Sequence, residues 1–127
     1  MTTTSVTTST TSVYTETSGN ELLVESGGNV TSAIIDNGGS LVVSGGVDTS
    51  ATISSGGTET VSSGGSASGD QIYGTLTVTG AASTTVTNET VFNGGVLDLY
   101  KGAAIGTTVD SGGVFNISGG NTANCKS

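Results

Sequence analysis

The sequence has no proline, no tryptophan and no histidine, and aromatic residues fill only 4% of its 127 positions. So little bulky apolar material cannot fill the layered core of an ordinary globular domain of this length. The only cations are Lys101 and Lys126, against ten acidic residues, so arginine is absent and the formal net charge is −8. Binding to nucleic acid is therefore excluded, because phosphate contacts need clustered cations.

Other missing sequence features concern catalysis and membrane insertion. Without histidine or arginine, and with no Gly-x-Ser-x-Gly elbow that has a partner base, the sequence predicts that the protein is not an enzyme. No apolar run reaches the roughly 20 residues that span a bilayer, so membrane insertion is not expected. The first residues lack the basic and apolar regions of a signal peptide, which leaves the route of export open.

Glycine, in contrast, is abundant, with 22 residues that recur mostly in pairs. Gly27 to Gly45 is a step of 18 positions, and so is Gly38 to Gly56. A period this short is typical of one coil of a solenoid. Glycine supplies positive φ at corners, and the Thr, Val, Ile and Ser between the pairs favour strands. We predict an all-β parallel β-helix of about six coils, the last one partial, with corners at Gly27, Gly28, Gly38, Gly39, Gly45, Gly46, Gly56, Gly57, Gly64, Gly65, Gly94, Gly95, Gly112 and Gly113.

The core is predicted from residues that alternate after each glycine pair. Positions two apart on a strand share one face, so equivalent positions of successive coils should stack into buried columns. A slip of one residue would turn every side chain over, so columns in phase are strong evidence for the fold. The predicted core ladder comprises Leu22, Val24, Leu41, Val43, Val61, Leu76, Val78, Leu97, Leu99, Phe115 and Ile117, joined from a second strand by Ile35, Ile53 and Val109.

Carboxylates interrupt this pattern at three places. Asp70 and Glu89 fall where other coils have small apolar residues. They either stack as a buried pair with raised pKa values or turn to solvent because of Gly69 and an insertion after Gly80. We favour the second interpretation. Glu59 interrupts an apolar column and is expected to mark a bulge.

The sequence predicts no cofactor and no metal. The calcium-binding nonapeptide needs an Asp after Gly-x-Gly in each repeat, and that motif is absent. Cys125 is a lone thiol, which is either inert or able to crosslink two chains.

The ends of the chain suggest self-association. Residues 1–20 form a Thr/Ser-rich leader, and residues 21–127 form the solenoid. The leader is either flexible or a β-strand that caps the first coil or pairs with a neighbouring molecule. Since the last coil stops partway and neither end shows a cap, we predict head-to-tail stacking into a filament.

Two other functions stay open. The first is a monomeric adhesin or glycan-binding β-helix module of a larger surface or tail-spike system, with cell-surface glycans as partners. The second is a polysaccharide-cleaving β-helix enzyme that would use Asp70 and Glu89.

Four segments carry a resemblance to a known family: 24–28, 33–39, 61–65 and 109–113. They resemble the short repeats of self-associating autotransporter passengers, the diffuse-adherence type of adhesin, over about residues 22–120. The resemblance implies a right-handed β-helix displayed outside a bacterium, where it promotes cell–cell adhesion and biofilm. We therefore expect an extracellular or bacterial cell-surface protein, more in keeping with a small assembled protein built from this repeat than with a complete autotransporter.

Overall fold

A computed structural model describes residues 2–9, 14–81 and 83–126. Within these ranges the protein is all β, with 19 strands in three parallel sheets and no helix that could cross a membrane. The chain visits each sheet in turn, so each circuit between β3 and β17 adds one strand to each wall of a three-sided solenoid. The predicted parallel β-solenoid is confirmed.

The strands are short, as the spacing of the glycine pairs requires. The first sheet contains β1 (Thr2–Val6), β3 (Asn20–Glu25), β6 (Ser40–Ser44), β9 (Thr58–Ser62), β12 (Thr75–Val78), β15 (Val96–Leu99) and β18 (Val114–Ile117). The second contains β4 (Asn29–Thr31), β7 (Val47–Thr49), β10 (Ser66–Ser68), β13 (Thr85–Thr87), β16 (Ala103–Ile105) and β19 (Asn121–Ala123). The third contains β2 (Thr15–Glu16), β5 (Ile34–Ile35), β8 (Thr52–Ile53), β11 (Gln71–Ile72), β14 (Thr90–Val91) and β17 (Thr108–Val109).

Two coils differ in length from the common period of 18 or 19 residues. Thr58 pairs with Thr75, a step of 17, and Thr75 pairs with Val96, a step of 21. The short coil has only Tyr73 and Gly74 between β11 and β12, while the long coil widens the corner between β12 and β13. Both changes are confined to corners, so the strands keep their register throughout the solenoid.

The leader belongs to the solenoid. β1 pairs in parallel with β3, from Thr2 opposite Asn20 to Val6 opposite Val24, and β2 pairs with β5. Residues 2–9 and 14–20 therefore lie in the first coil, which agrees with the alternative in which the leader supplies a strand to the solenoid. Among the described residues the first sheet has seven strands and the other two have six each, in keeping with the predicted solenoid of about six coils. Residues 10–13 of the predicted leader lie outside the described residues.

Most of the predicted core ladder is completely buried: Leu22, Val24, Leu41, Val43, Val61, Leu76, Val78, Leu97, Leu99, Ile35 and Ile53. Val109 and Phe115 are half-buried. Ile117 is 57% exposed, which corrects its assignment to the buried core. It keeps its register opposite Leu99, but no described coil lies above it.

The two glycines of each pair have different structural roles. The first glycine has a positive φ in every predicted corner: Gly27, Gly38, Gly45, Gly56, Gly64, Gly94 and Gly112. The second lies against the backbone of the preceding coil. A Cβ on Gly95, for example, would overlap the carbonyl oxygen of Ile72, whereas a Cβ on Gly94 would meet nothing within 4 Å.

This division predicts unequal effects for two neighbouring substitutions. Gly94→Ala should cost roughly 1–2 kcal/mol of unfolding free energy, because only the left-handed backbone conformation is penalised. Gly95→Ala should cost roughly 3 kcal/mol, because the overlapping atom belongs to backbone that cannot move aside. Urea denaturation of both variants measures the difference, and equal losses would contradict this account of the corners.

Candidate functional site

Four carboxyl side chains lie inside the solenoid with 1% exposure or less: Asp48, Glu59, Asp70 and Glu89. Asp48 comes from β7 of the second sheet, Glu59 from β9 of the first, and Asp70 from the position just before β11 of the third. One oxygen of each of these three lies within 4.8 Å of the others. Each wall thus supplies one carboxyl group to the same point, and we call these three residues the interior triad.

Glu59 points inward because its strand keeps the register of its neighbours. It pairs with Leu41 on one side and Leu76 on the other, within unbroken runs of parallel pairs. The bulge predicted at Glu59 is therefore wrong. The residue simply replaces a leucine in a buried column.

Asp48 is a member of the site that the sequence analysis missed. It pairs with Val30 and Ala67, whose side chains are buried. In β4 the side chain of Val30 is buried and that of Thr31 is exposed, so Val30 and not Thr31 marks the inward column of this segment. Ser32 has a φ of 61°, and it divides the segment into β4 and β5, so the alternation restarts. Aligning Asp48 with Val30 across coils would have revealed it.

Asp70 and Glu89 form the buried stack that the sequence allowed but did not favour. Asp70 Oδ1 accepts a hydrogen bond from the Ala51 N–H at 2.8 Å, and Glu89 Oε2 accepts one from the Asp70 N–H at 2.7 Å. The favoured interpretation, in which both turn to solvent, is wrong. Gly69 and Asn88, at φ 72° and 58°, provide the left-handed backbone that equivalent corners have, so the phase is kept.

The electrostatics of these carboxyl groups are unusual. Neither oxygen of Asp48 or Glu59 has a hydrogen-bond partner among the described residues, nor do Asp70 Oδ2 and Glu89 Oε1. Burial, followed by the neighbouring Asp70 carboxyl, raises the pKa of Asp48 to about 9. Burial raises the pKa of Glu89 to about 8 and holds the pKa values of Glu59 and Asp70 well above their usual range. Without a compensating cation, Asp48 and Glu89 hold protons at neutral pH.

The N-terminal face, formed by the inward side chains of the first coil, is largely shielded. Val6 is 5% exposed and Glu16 is 7% exposed, and burial raises the pKa of Glu16. Tyr14 precedes β2 in the column that holds Ala33 in the next coil, and it packs partly buried against the core. Tyr14 is the large residue of a column that holds alanine in the next two coils.

The C-terminal face, formed by the last described coil, is more exposed. Its strand β18 exposes Val114 at 44% and Ile117 at 57%, and leaves Phe115 half-buried. Cys125 is an exposed free thiol in the same coil, where Lys126 forms a parallel bridge with Thr108. The sequence predicted that neither end is capped, but the two ends differ.

Comparison with solved structures supports the fold. The chain is similar to the crystal structure of a hyper-glycosylated TibA fragment whose glycosylation is catalysed by TibC, with a TM-score of 0.82 and 26% identity. The alignment covers 94% of this chain and 45% of that chain, so the protein spans about half of the TibA fragment. No protein-family model and no curated protein matches the chain.

Proposed function

We propose that the protein is an adhesin-like structural solenoid of the cell surface or extracellular space, and that copies stack head to tail into a filament. The similarity to the TibA fragment and the repeats of adhesin type support the first part. The observation that carries the second part is a match of shape between the two end faces. The contact joins two different surfaces, so it generates an open polymer.

The match concerns the sizes of facing side chains. When the register of the first sheet is continued past β18, Phe115 stacks on Thr4 of the next copy, and Ile117 stacks on Val6. In the column beside the third sheet, Cys125 stacks on Tyr14 of the next copy. Phe115 of one face thus meets the smaller Thr4, and Tyr14 of the other meets the smaller Cys125, as close packing requires.

The strand edges match as well. β1 and β18 are the two edge strands of the first sheet, and all pairing within the sheets is parallel. Stacking two copies in the same direction adds β1 of one to β18 of the other without reversing any strand. It thereby pairs edges that would otherwise expose backbone donors and acceptors.

Charge favours the same arrangement. In the first coil the only charged side chain is Glu16, and in residues 112–126 it is Lys126. Continuing the third sheet places Lys126 over the outward-facing Thr15 of the next copy, where no like charge meets it. A tail-to-tail arrangement would instead bring two lysines together.

The proposed role is structural and not enzymatic. Asp70 and Glu89, the pair that could have served polysaccharide cleavage, are enclosed by the three sheets and offer no surface to a polymer. General acid–base catalysis requires hydrogen-bond reach to the substrate.

Sedimentation velocity of the 127-residue chain from 1 to 100 micromolar tests the proposal. We expect a distribution that shifts to larger species as concentration rises, and end-to-end rods in negative-stain micrographs. A single species of monomer mass over the whole range would refute self-association.

A second function, binding of surface glycans by a monomer, is favoured by one observation. Tyr73 and Phe92 stack with ring centroids 4.6 Å apart and an interplanar angle of 7°, and Tyr73 is 39% exposed. Exposed aromatic rings are common anchors in binding surfaces. A monomer whose affinity for a glycan array is lost in Tyr73→Ser would support this function over the filament.

A further inference from the structure

The interior triad brings three acidic groups to one point of a largely apolar interior. One coil before each of them, the columns of Asp48, Glu59 and Asp70 hold Val30, Leu41 and Ala51. All three are completely buried. Acidic residues thus replace apolar ones on all three sheets, and their side chains meet at one point. A chance run of acidic residues along the chain would not converge in this way.

Glu59 shows most clearly that the cluster lacks a partner. Its side chain has no exposed surface, neither of its oxygens has a hydrogen-bond donor, and one of them lies within 4.8 Å of oxygens from Asp48 and Asp70. Asp48 is equally buried and equally without a donor. Buried carboxylates normally pair with a cation or coordinate a metal, because an unpaired buried charge is very costly. No lysine reaches this interior, since Lys101 is exposed and Lys126 lies in the last coil.

The type of donor atom indicates which cation the site would prefer. All three ligands are carboxylate oxygens, and hard cations such as Ca²⁺ prefer oxygen donors at about 2.3–2.6 Å. Two oxygens on opposite sides of such an ion would be about 5 Å apart, so separations of up to 4.8 Å suit it. Two further oxygens, Asp70 Oδ2 and Glu89 Oε1, are buried without partners and belong to the same carboxyl stack.

We propose that the interior triad of Asp48, Glu59 and Asp70 binds one divalent cation of the calcium type, taken up as the chain folds. The site is assembled from three strands of two consecutive coils, which explains why no contiguous calcium motif is present. Because the triad is completely enclosed, the ion would exchange slowly in the folded protein and would add to its stability.

The test compares the wild-type chain with a matched variant, D48V/E59L/D70A, which gives each column a residue that it already has in a neighbouring coil. Both proteins are unfolded in guanidinium chloride and refolded at pH 8 with either 1 mM CaCl₂ or EDTA. Free ion is then removed by gel filtration, and bound calcium is measured by mass spectrometry. The variant keeps every exposed acidic residue, so calcium held at the surface is the same in both.

We expect about one calcium per wild-type chain and none in the variant. The melting temperature of the wild type should rise by roughly 10 °C when free calcium is a hundred times its dissociation constant. The melting temperature of the variant should not respond. Equal calcium content in the two proteins, or no stabilisation of the wild type, would overturn the proposal and leave the carboxyl groups as holders of protons alone. If the triple variant does not fold, Glu59→Leu replaces it, and a wild type that binds no calcium overturns the proposal by itself.

Discussion

In a chelating buffer, the protein is expected to unfold at a much lower urea concentration at pH 9.5 than at pH 5. Asp48 has a pKa of about 9 in the folded state and an ordinary value of 3.8, and Glu89 shifts from 4.5 to about 8. Burial is the largest cause of both shifts. Because folding raises these pKa values, the folded state binds more protons than the unfolded state. Its stability is greatest below pH 4 and falls as the pH rises through about 9.

The expected loss is large. One pKa unit corresponds to about 1.4 kcal/mol, and typical domains are stable by about 5–15 kcal/mol. The shift of Asp48 alone would therefore remove a substantial part of the stability by pH 9.5. Glu59 and Asp70 shift in the same direction, and no basic side chain faces the cluster among the described residues. Urea midpoints measured in EDTA every half unit from pH 5 to pH 10 trace this dependence.

The variant D48V/E59L/D70A is the control for this measurement. It should show a much flatter profile, because Glu89 is the only one of the four interior carboxyl groups that is left, and it should be more stable than the wild type at pH 9.5. Replacing buried charged groups by well-packed apolar ones is often neutral or stabilising. Identical pH profiles for the two proteins would mean that the carboxyl groups do not have the environment described above.

The second large effect concerns the direction in which copies stack. Two variants, each blocked at one end face, can determine this direction. Thr4→Asp places a carboxylate on the N-terminal face, and Ile117→Asp places one on the C-terminal face. Each variant should be monomeric by itself, with association weakened by at least about 100-fold, because a carboxylate would be buried against an apolar partner. Mixed in equal amounts, they should form a heterodimer and nothing larger, since each copy keeps one intact face.

The heterodimer distinguishes the head-to-tail contact from its alternatives. Contact between two C-terminal faces would let the Thr4→Asp variant dimerise by itself and would give no mixed species. Val114→Asp is the matched control, because it adds the same charge to the outer side of strand β18 and should still assemble. Sedimentation velocity separates all of these species.

The architecture could be predicted from the sequence because two simple signals agree. Glycine pairs mark corners where only glycine avoids strain or collision, and alternating apolar residues mark the inner face of strands. Leu41, Leu76 and Leu97 share one column and are completely buried. Because this pattern repeats over so many coils, its periodicity fits only a solenoid, even though two corners change in length.

The interior triad was harder to predict, for physical reasons. Burial of a carboxyl group is costly, so sequence reasoning turns Asp70 and Glu89 to solvent and expects a bulge at Glu59. The backbone register instead overrides the preference of single residues, because turning one side chain outward would break the pairing of a whole coil. The inward position of Asp48 was not predicted, because the left-handed turn at Ser32 in the preceding coil restarts the alternation of inward and outward side chains. That turn carries serine and not glycine, so no glycine marks it.

The ends were predicted only in part. A Thr/Ser-rich leader carries little apolar signal, so its place in the first coil follows from pairing with β3 more than from its own residues. The role of Tyr14 depends on its column, which holds alanine in the next two coils. Its packing against the core becomes visible only when the first coil is placed on the second.

The axial repeat of assembled protein tests the central claim most directly. Each copy contributes seven strands to the first sheet, and strands lie about 4.8 Å apart, so head-to-tail stacking predicts a subunit repeat of about 34 Å along the fibre. Electron microscopy of assembled wild-type protein should show a layer line at that spacing together with one at about 4.8 Å. A repeat of twice that length, from copies of alternating direction, or only separate particles one subunit long, would contradict the account.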